Sequence, residues 1–175
     1  MMSLVYVFWM YVVLFAIIGG MRGWVKELLV VFSVILALTT NHVLTKYIPL
    51  VSDLPDNSHS LFWIRSLVLI TLVYFGYQTV ISVQRLAARA TRERLQDTLF
   101  GLFIGAINGY LIAGTLLFYL NQAQYPYPNV ISAPTGGVLD SVNAMLKWMP
   151  PHLLGEPGIY FAVVICFIFV LVVFI

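Results

Sequence analysis

Five apolar segments, most of them close to the length needed to cross a bilayer, constrain this chain more than any other feature. A helix spans the hydrocarbon core with about 20 mostly apolar residues. Apolar residues make up 61% of the 175 and charged residues only 9%, which is too few to cover a water-facing surface. The sequence therefore predicts an all-α integral membrane protein, with four transmembrane helices and a fifth at the C-terminus.

The predicted spans are separated by charged, Gly-rich or Pro-rich segments. They cover residues 4–18, a second helix that begins over 28–38, then 61–83, 98–120 and 157–175. Gly19, Gly20 and Gly23 are expected to form the turn after the first span. That span should be retained, because residues 1–3 lack the positive charge of a cleavable signal peptide.

These spans divide the chain into three parts. Residues 1–120 are predicted to form a four-helix membrane core, and residues 157–175 add the fifth helix. Between them, prolines and glycines over 121–156 indicate an extracytoplasmic connection. Apolar residues at helical spacing predict a short interfacial helix within it: Val138, Val142, Met145 and Met149.

Lys and Arg residues in alternate connections indicate the orientation, since positive residues are retained on the cytoplasmic side. Six occupy the first and third connections, and three the second and fourth: Arg22, Lys26, Arg85, Arg89, Arg92 and Arg94 against Lys46, Arg65 and Lys147. The count predicts an N-terminus outside. A net charge of +2 spread over segment ends gives no basis for nucleic-acid binding.

A stripe of small residues recurs every four positions along the fourth span. It comprises Gly101, Gly105, Gly109 and Ala113. Small side chains allow close helix approach in lipid, where little hydrophobic force drives association. The stripe is predicted to pack against a neighbouring helix of the same chain, and the alternative is an interface with a second copy or another subunit.

Asn108 lies beside this stripe in the middle of the span. An amide at that depth needs a hydrogen-bond partner. A bond to another helix is favoured over a role in lining a solute path, with Gln78 as the expected partner.

Charged residues form two further candidate groups. Arg22, Lys26, Glu27 and Asp97 are predicted to form a cytoplasmic cluster that clamps the first helical hairpin to the second. The arginines between the third and fourth spans are expected to contact anionic lipid headgroups, to determine topology, or both: Arg85, Arg89, Arg92 and Arg94.

The sequence offers no chemistry of a recognisable enzyme. It contains no phosphate loop, nucleophile elbow or zinc-protease motif, and all seven acidic residues are placed outside the predicted spans, which argues against a coupled pump. His42, His59 and His152 lack ligand spacing and are interpreted as interface histidines. His42 is the best placed to ligate a haem, chlorophyll or metal, but no cofactor is predicted.

Two segments resemble the colicin V production protein family. Residues 20–29, Gly-Met-Arg-Gly-Trp-Val-Lys-Glu-Leu-Leu, are similar to its G-x-R-G-hydrophobic-basic-E-L-L turn, and Asp97 to Gly101, with Gly105 and Gly109, are similar to its Asp and spaced glycines. The resemblance covers roughly residues 4–120. It implies a four-helix protein of the bacterial inner membrane linked to colicin V production, without catalytic residues. Asn108, the Pro-rich connection and the fifth helix depart from the pattern.

Three hypotheses of function remain. The first is a non-enzymatic protein of this kind that acts through helix and lipid contacts in export or envelope maintenance, with other membrane subunits or its own copies as partners. The second is an accessory subunit of a respiratory or photosynthetic membrane complex. The third is a channel or transporter component, disfavoured because the spans lack a polar lining.

Overall fold

The computed structural model describes residues 4–78 and 94–174, and every regular element in this part of the chain is a helix. These helices are α1 (Leu4–Arg22), α2 (Trp24–Tyr47), α3 (Pro49–Ser52), α4 (His59–Tyr77), α5 (Arg94–Gln122), α6 (Gly137–Leu146), α7 (Pro150–Leu153) and α8 (Gly158–Phe174). Helices α1, α2, α4 and α5 are long and apolar enough to cross a membrane, and α8 is a shorter apolar helix. The predicted all-α fold with four spans and a fifth apolar helix is confirmed.

The first two helices are separated by a single residue, Gly23. Its φ of 86° lies in the region that glycine adopts without a Cβ penalty. The expectation that Gly19 and Gly20 also belong to the turn is wrong, because both are helical residues of α1. Because α2 begins at Trp24, Glu27 lies inside a spanning helix. The prediction that all acidic residues lie outside the spans is therefore wrong.

Helix α5 lies at the centre of the bundle, packed against α1, α2 and α4, while α8 packs against α2. Apolar side chains from α2, α4, α5 and α8 fill the space between these helices. This core comprises Val30, Val34, Ala37, Leu38, Leu69, Val73, Ile112 and Ile159. The predicted end of the third span near residue 83 lies outside the described residues.

The connection after α5 folds back onto the bundle. Met149, just before α7, is buried against Phe8, Val12 and Leu117. The Tyr110 hydroxyl donates a hydrogen bond to the Trp148 carbonyl. The predicted short helix is present as α6, which ends at Leu146, before Met149.

Candidate functional site

The glycine stripe of α5 lies against α1. A Cβ on Gly109 would stand 2.8 Å from Val12 Cα, and a Cβ on Gly101 would collide with the Gly19 carbonyl. Gly19 is equally restricted, since its Cβ would lie 2.7 Å from Gly105 Cα. The two backbones approach so closely that neither helix accommodates a side chain at these positions, and α1 of the same chain occupies this surface. Further along the stripe, Ala113 packs beside the buried cluster around Phe8.

Glu27 forms the centre of a buried polar layer where α1, α2 and α5 meet. Its side chain is fully buried. Arg22 donates to its Oε1 at 2.6 Å, and Asn108 Nδ2 donates both to its Oε2 at 2.8 Å and to its backbone carbonyl at 3.0 Å. A buried carboxylate is stable only when paired and hydrogen-bonded. Arg22 and Asn108 together supply these conditions.

Arg22 extends this layer to α4. Its Nη2 donates to the Tyr77 carbonyl at 3.1 Å, and its guanidinium carbon lies 4.4 Å from the centroid of the Tyr77 ring. The Arg22 guanidinium thus has a hydrogen-bond acceptor in the Tyr77 carbonyl and a cation–π partner in the Tyr77 ring. We call Arg22, Glu27, Tyr77 and Asn108 the inner polar layer.

The predicted pairing of Asn108 with Gln78 is wrong. Gln78 is exposed just beyond the end of α4, whereas the Asn108 amide bonds Glu27. A carboxylate accepts a stronger hydrogen bond than a neutral amide does. Asn108 Oδ1 accepts no hydrogen bond from the described residues.

Asp97 takes a different role from the one predicted in the charge cluster. Its Oδ1 accepts a hydrogen bond from the Trp24 backbone N–H at 3.2 Å, so it satisfies a free donor at the start of α2. Arg22 is paired with Glu27, and among the described residues no ion pair joins Asp97 to Arg22 or Lys26. Asp97 therefore clamps the two hairpins through a helix end instead of through an opposite charge.

The arginines predicted to contact lipid headgroups fall largely outside the part of the chain that the structure describes. Arg85, Arg89 and Arg92 lie outside the described residues, as does the side chain of Arg94. Their predicted contact with lipid stays a prediction.

A second buried polar layer lies at the opposite end of α2. Asn41 Nδ2 donates to the Arg65 carbonyl at 3.0 Å and to the Tyr119 hydroxyl at 3.2 Å. Arg65 Nη1 donates to Gln122 Oε1 at 2.7 Å. These four residues, the outer polar layer, join α2, α4 and α5. Sequence reasoning counted Arg65 among the basic residues of the second and fourth connections and did not detect its association with Asn41.

Glu156 ties the start of α8 to the end of α2. Its Oε1 accepts hydrogen bonds from Lys46, from the Tyr160 hydroxyl at 2.9 Å, and lies 2.9 Å from His42 Nε2. The Lys46 hydrogen bond, followed by those of His42 and Tyr160, lowers the pKa of Glu156 to about 2. His42, the best placed of the three histidines to act as a ligand, thus contacts a carboxylate. Within residues 4–78 and 94–174, no three His, Cys, Asp or Glu residues come together as a metal site would need.

The inner and outer polar layers are separated by most of the thickness of the bilayer's hydrocarbon core. Glu27 and Asn41 are 14 positions apart in α2, and so are Asn108 and Gln122 in α5. At 1.5 Å per residue each pair is separated by about 21 Å along its helix. The apolar core fills the space between them. In this geometry the buried polar groups bind helices to one another at two levels.

The sequence model of a family described as "Colicin V production protein" matches residues 5–144. The match extends the predicted range of 4–120 into the Pro-rich connection, and it contains every residue of both polar layers. Neither a curated protein nor a solved structure shows a significant match to the chain.

Proposed function

The chain belongs to the colicin V production protein family, and from this premise we propose that it is a non-enzymatic protein of the bacterial inner membrane that supports export or envelope maintenance. The family and four apolar helices make it a multi-pass membrane protein. Its action is proposed to depend on contacts of its outer surface with lipid and with other membrane proteins.

One observation carries this proposal: the buried side chains of Glu27, Asn41 and Asn108 hydrogen-bond to other groups inside the bundle, while the surface is apolar. The most exposed apolar side chains belong to the spans and to the connections between them. They include Tyr6, Met21, Leu50, Leu67, Phe75, Leu95, Val130, Trp148, Phe161 and Val172. A surface of this kind contacts lipid tails or other membrane helices. The glycine stripe is already occupied by α1, so the exposed apolar faces remain for partners.

A cellular assay tests the proposal. A strain that lacks this chain should export less colicin V or become more permeable to detergents and dyes, and the wild-type gene should restore both properties. The Asn108→Leu variant should restore them poorly, whereas Thr115→Val should restore them fully, because among the described residues the Thr115 side chain bonds only the Leu111 carbonyl of its own helix. An unchanged deletion strain would contradict the proposal. Co-purification in mild detergent with a stoichiometric respiratory or photosynthetic complex would replace it with the accessory-subunit function.

The orientation is proposed from the positive charges. With the N-terminus outside, the turn at Gly23 is cytoplasmic and the short helix α3 is external. In a Cys166→Ala background, Ser52→Cys should react with a membrane-impermeant maleimide in intact cells. Gln96→Cys should react only after permeabilisation. The reverse pattern would show that the N-terminus is inside.

Glu27 favours a second candidate, a component of a proton- or cation-coupled transporter. A fully buried carboxylate in a spanning helix marks a functional site more often than a structural one. The apolar core between the layers would have to open during transport. Proteoliposomes with a pH-sensitive dye test this: flux above that of empty vesicles, lost in Glu27→Gln, would support transport. Equal flux in vesicles with the wild-type protein and in empty vesicles would exclude transport.

A further inference from the structure

An apolar groove of about 420 Å³ runs along α1 and α5 beyond the glycine contact. Phe62 of α4 and Ile131 of the connection complete its wall. The close approach of the two helices extends to Gly109, which faces Val12. From Ile112 onward the α5 side chains at the seam, apart from Ala113, are larger, among them Leu116 and Leu120, and the groove begins there.

The groove has the length of one bilayer leaflet. On α1 it extends from Leu4 to Phe15, about 16 Å at 1.5 Å per residue. Half of the hydrocarbon core measures about 15 Å. The groove starts at the end of the bundle where α1 begins and α5 ends, and it stops near the middle of both helices. The groove therefore lies at the same level in the membrane as a lipid tail of the leaflet that contains Leu4.

The lining excludes a polar ligand. Its side chains are aliphatic or aromatic, and Tyr11 has the one hydroxyl among them. Sites for small polar molecules place several polar groups at fixed positions to orient the ligand. Among the described residues, no charged side chain lines this groove. Because α1 and α5 are long and apolar enough to cross a membrane, lipid is the medium expected around this groove.

We propose that this groove binds one acyl chain of a phospholipid from the leaflet in which α1 begins, and that the lipid stays bound after extraction. The inference rests on the lipid contacts of the proposed function and assigns them a specific site. It explains why the small-residue seam between α1 and α5 ends at mid-membrane: the wider half accommodates the chain.

Lipid retention in the full-length protein tests the inference. After purification in mild detergent and extensive washing, native mass spectrometry of the wild type should show a single bound phospholipid. Leu116→Trp fills the groove and should abolish that adduct. Leu102→Trp is the matched control, because Leu102 lies on the exposed surface of the same helix and lines no part of the groove. A wild type without bound lipid, or equal retention in both variants, would overturn the inference.

A second measurement applies if Leu116→Trp fails to fold. A phospholipid with a photoreactive group midway along its acyl chain, incorporated with the wild type, should crosslink to groove residues such as Phe8 and Leu116. Crosslinks confined to the exposed Met10 and Leu14 would show annular lipid only and contradict the site. Failure of the proposed function would appear in the cellular export and permeability assays, while failure of this inference would appear in lipid retention and crosslinking.

Discussion

Asn108 donates two hydrogen bonds to one residue, Glu27: one to its carboxylate at 2.8 Å and one to its backbone carbonyl at 3.0 Å. One amide thereby holds α5 to α2 through both the side chain and the main chain. Arg22 occupies the other carboxylate oxygen. The stability of the buried charge thus depends on contributions from two other helices.

Replacement of Asn108 by Leu should destabilise the protein by about 2–3 kcal/mol. The change removes a hydrogen bond to a buried ionised group, a contact worth about 1.5–3 kcal/mol. Unfolding by SDS titration in mild detergent measures this loss. Thr115→Val is the control and should cost less than about 1 kcal/mol, since the one hydrogen bond that its hydroxyl makes with described residues stays within α5. Equal effects of the two changes would show that Glu27 does not need Asn108.

Two adjacent glycines of α1 should respond in opposite ways to alanine. At Gly19 a Cβ would stand 2.7 Å from Gly105 Cα, so Gly19→Ala should separate the helices and destabilise by about 1–3 kcal/mol. At Gly20 the nearest atom would be the Thr98 carbonyl oxygen at 3.5 Å. Gly20→Ala should therefore be neutral or stabilise by up to about 1 kcal/mol through helix propensity. Thermal unfolding in detergent compares them, and similar melting temperatures would contradict the close approach of α1 and α5.

Removal of the Asp97 carboxylate should weaken the start of α2. Asp97→Ala leaves the Trp24 N–H without its acceptor and should cost about 0.5–2 kcal/mol, as for the loss of a helix cap. Asp97→Asn keeps an acceptor oxygen and should cost less. Detergent stability measures both variants.

A charge exchange distinguishes this role of Asp97 from an ion pair. Asp97→Lys combined with Arg22→Glu should be no more stable than the weaker single variant, because Arg22 pairs with Glu27. Recovery of stability in the double variant would show that Asp97 and Arg22 are paired after all.

The attachment of α8 to α2 should persist to low pH. Hydrogen bonds from Lys46, His42 and Tyr160 lower the Glu156 pKa from 4.5 to about 2. A depressed carboxyl pKa gives stabilisation that is present above pH 4.5 and is lost as the pH falls through about 2. As the pH is lowered across this range, the melting temperature should therefore fall more in the wild type than in Glu156→Gln. Parallel pH profiles would contradict the link.

The spans were predictable because they are long apolar segments, and their lengths depend on bilayer thickness rather than on tertiary contacts. The position of Glu27 was not predictable in the same way. Whether a charge at the edge of an apolar run lies inside the helix depends on its partner, and Asn108 stands 81 positions away. A signal for the α1 interface was present: Ala16, Gly19 and Gly23 form a second row of small residues that matches the stripe on α5.

The outer polar layer shows the same limit. Considered alone, Asn41 and Arg65 are polar residues near the ends of their spans, as is typical of the membrane interface. Their association depends on the Tyr119 hydroxyl and the Gln122 amide, which α5 brings to the same depth. A search for polar residues at equal depth in different spans would have suggested both layers.

The long separation between Glu27 and Asn108 has a consequence for synthesis. Helices leave the translocation machinery in chain order, so the carboxylate enters the membrane while its amide partner is still untranslated. During that interval Arg22, five positions upstream, is the residue of the inner polar layer that already donates to the carboxylate, since Tyr77 contacts Arg22 and Asn108 follows later. Arrival of α5 completes the bonding. A nascent chain interrupted before Asn108 therefore retains in the bilayer a Glu27 carboxylate with only part of its hydrogen bonds. This difference distinguishes unfinished molecules from finished ones.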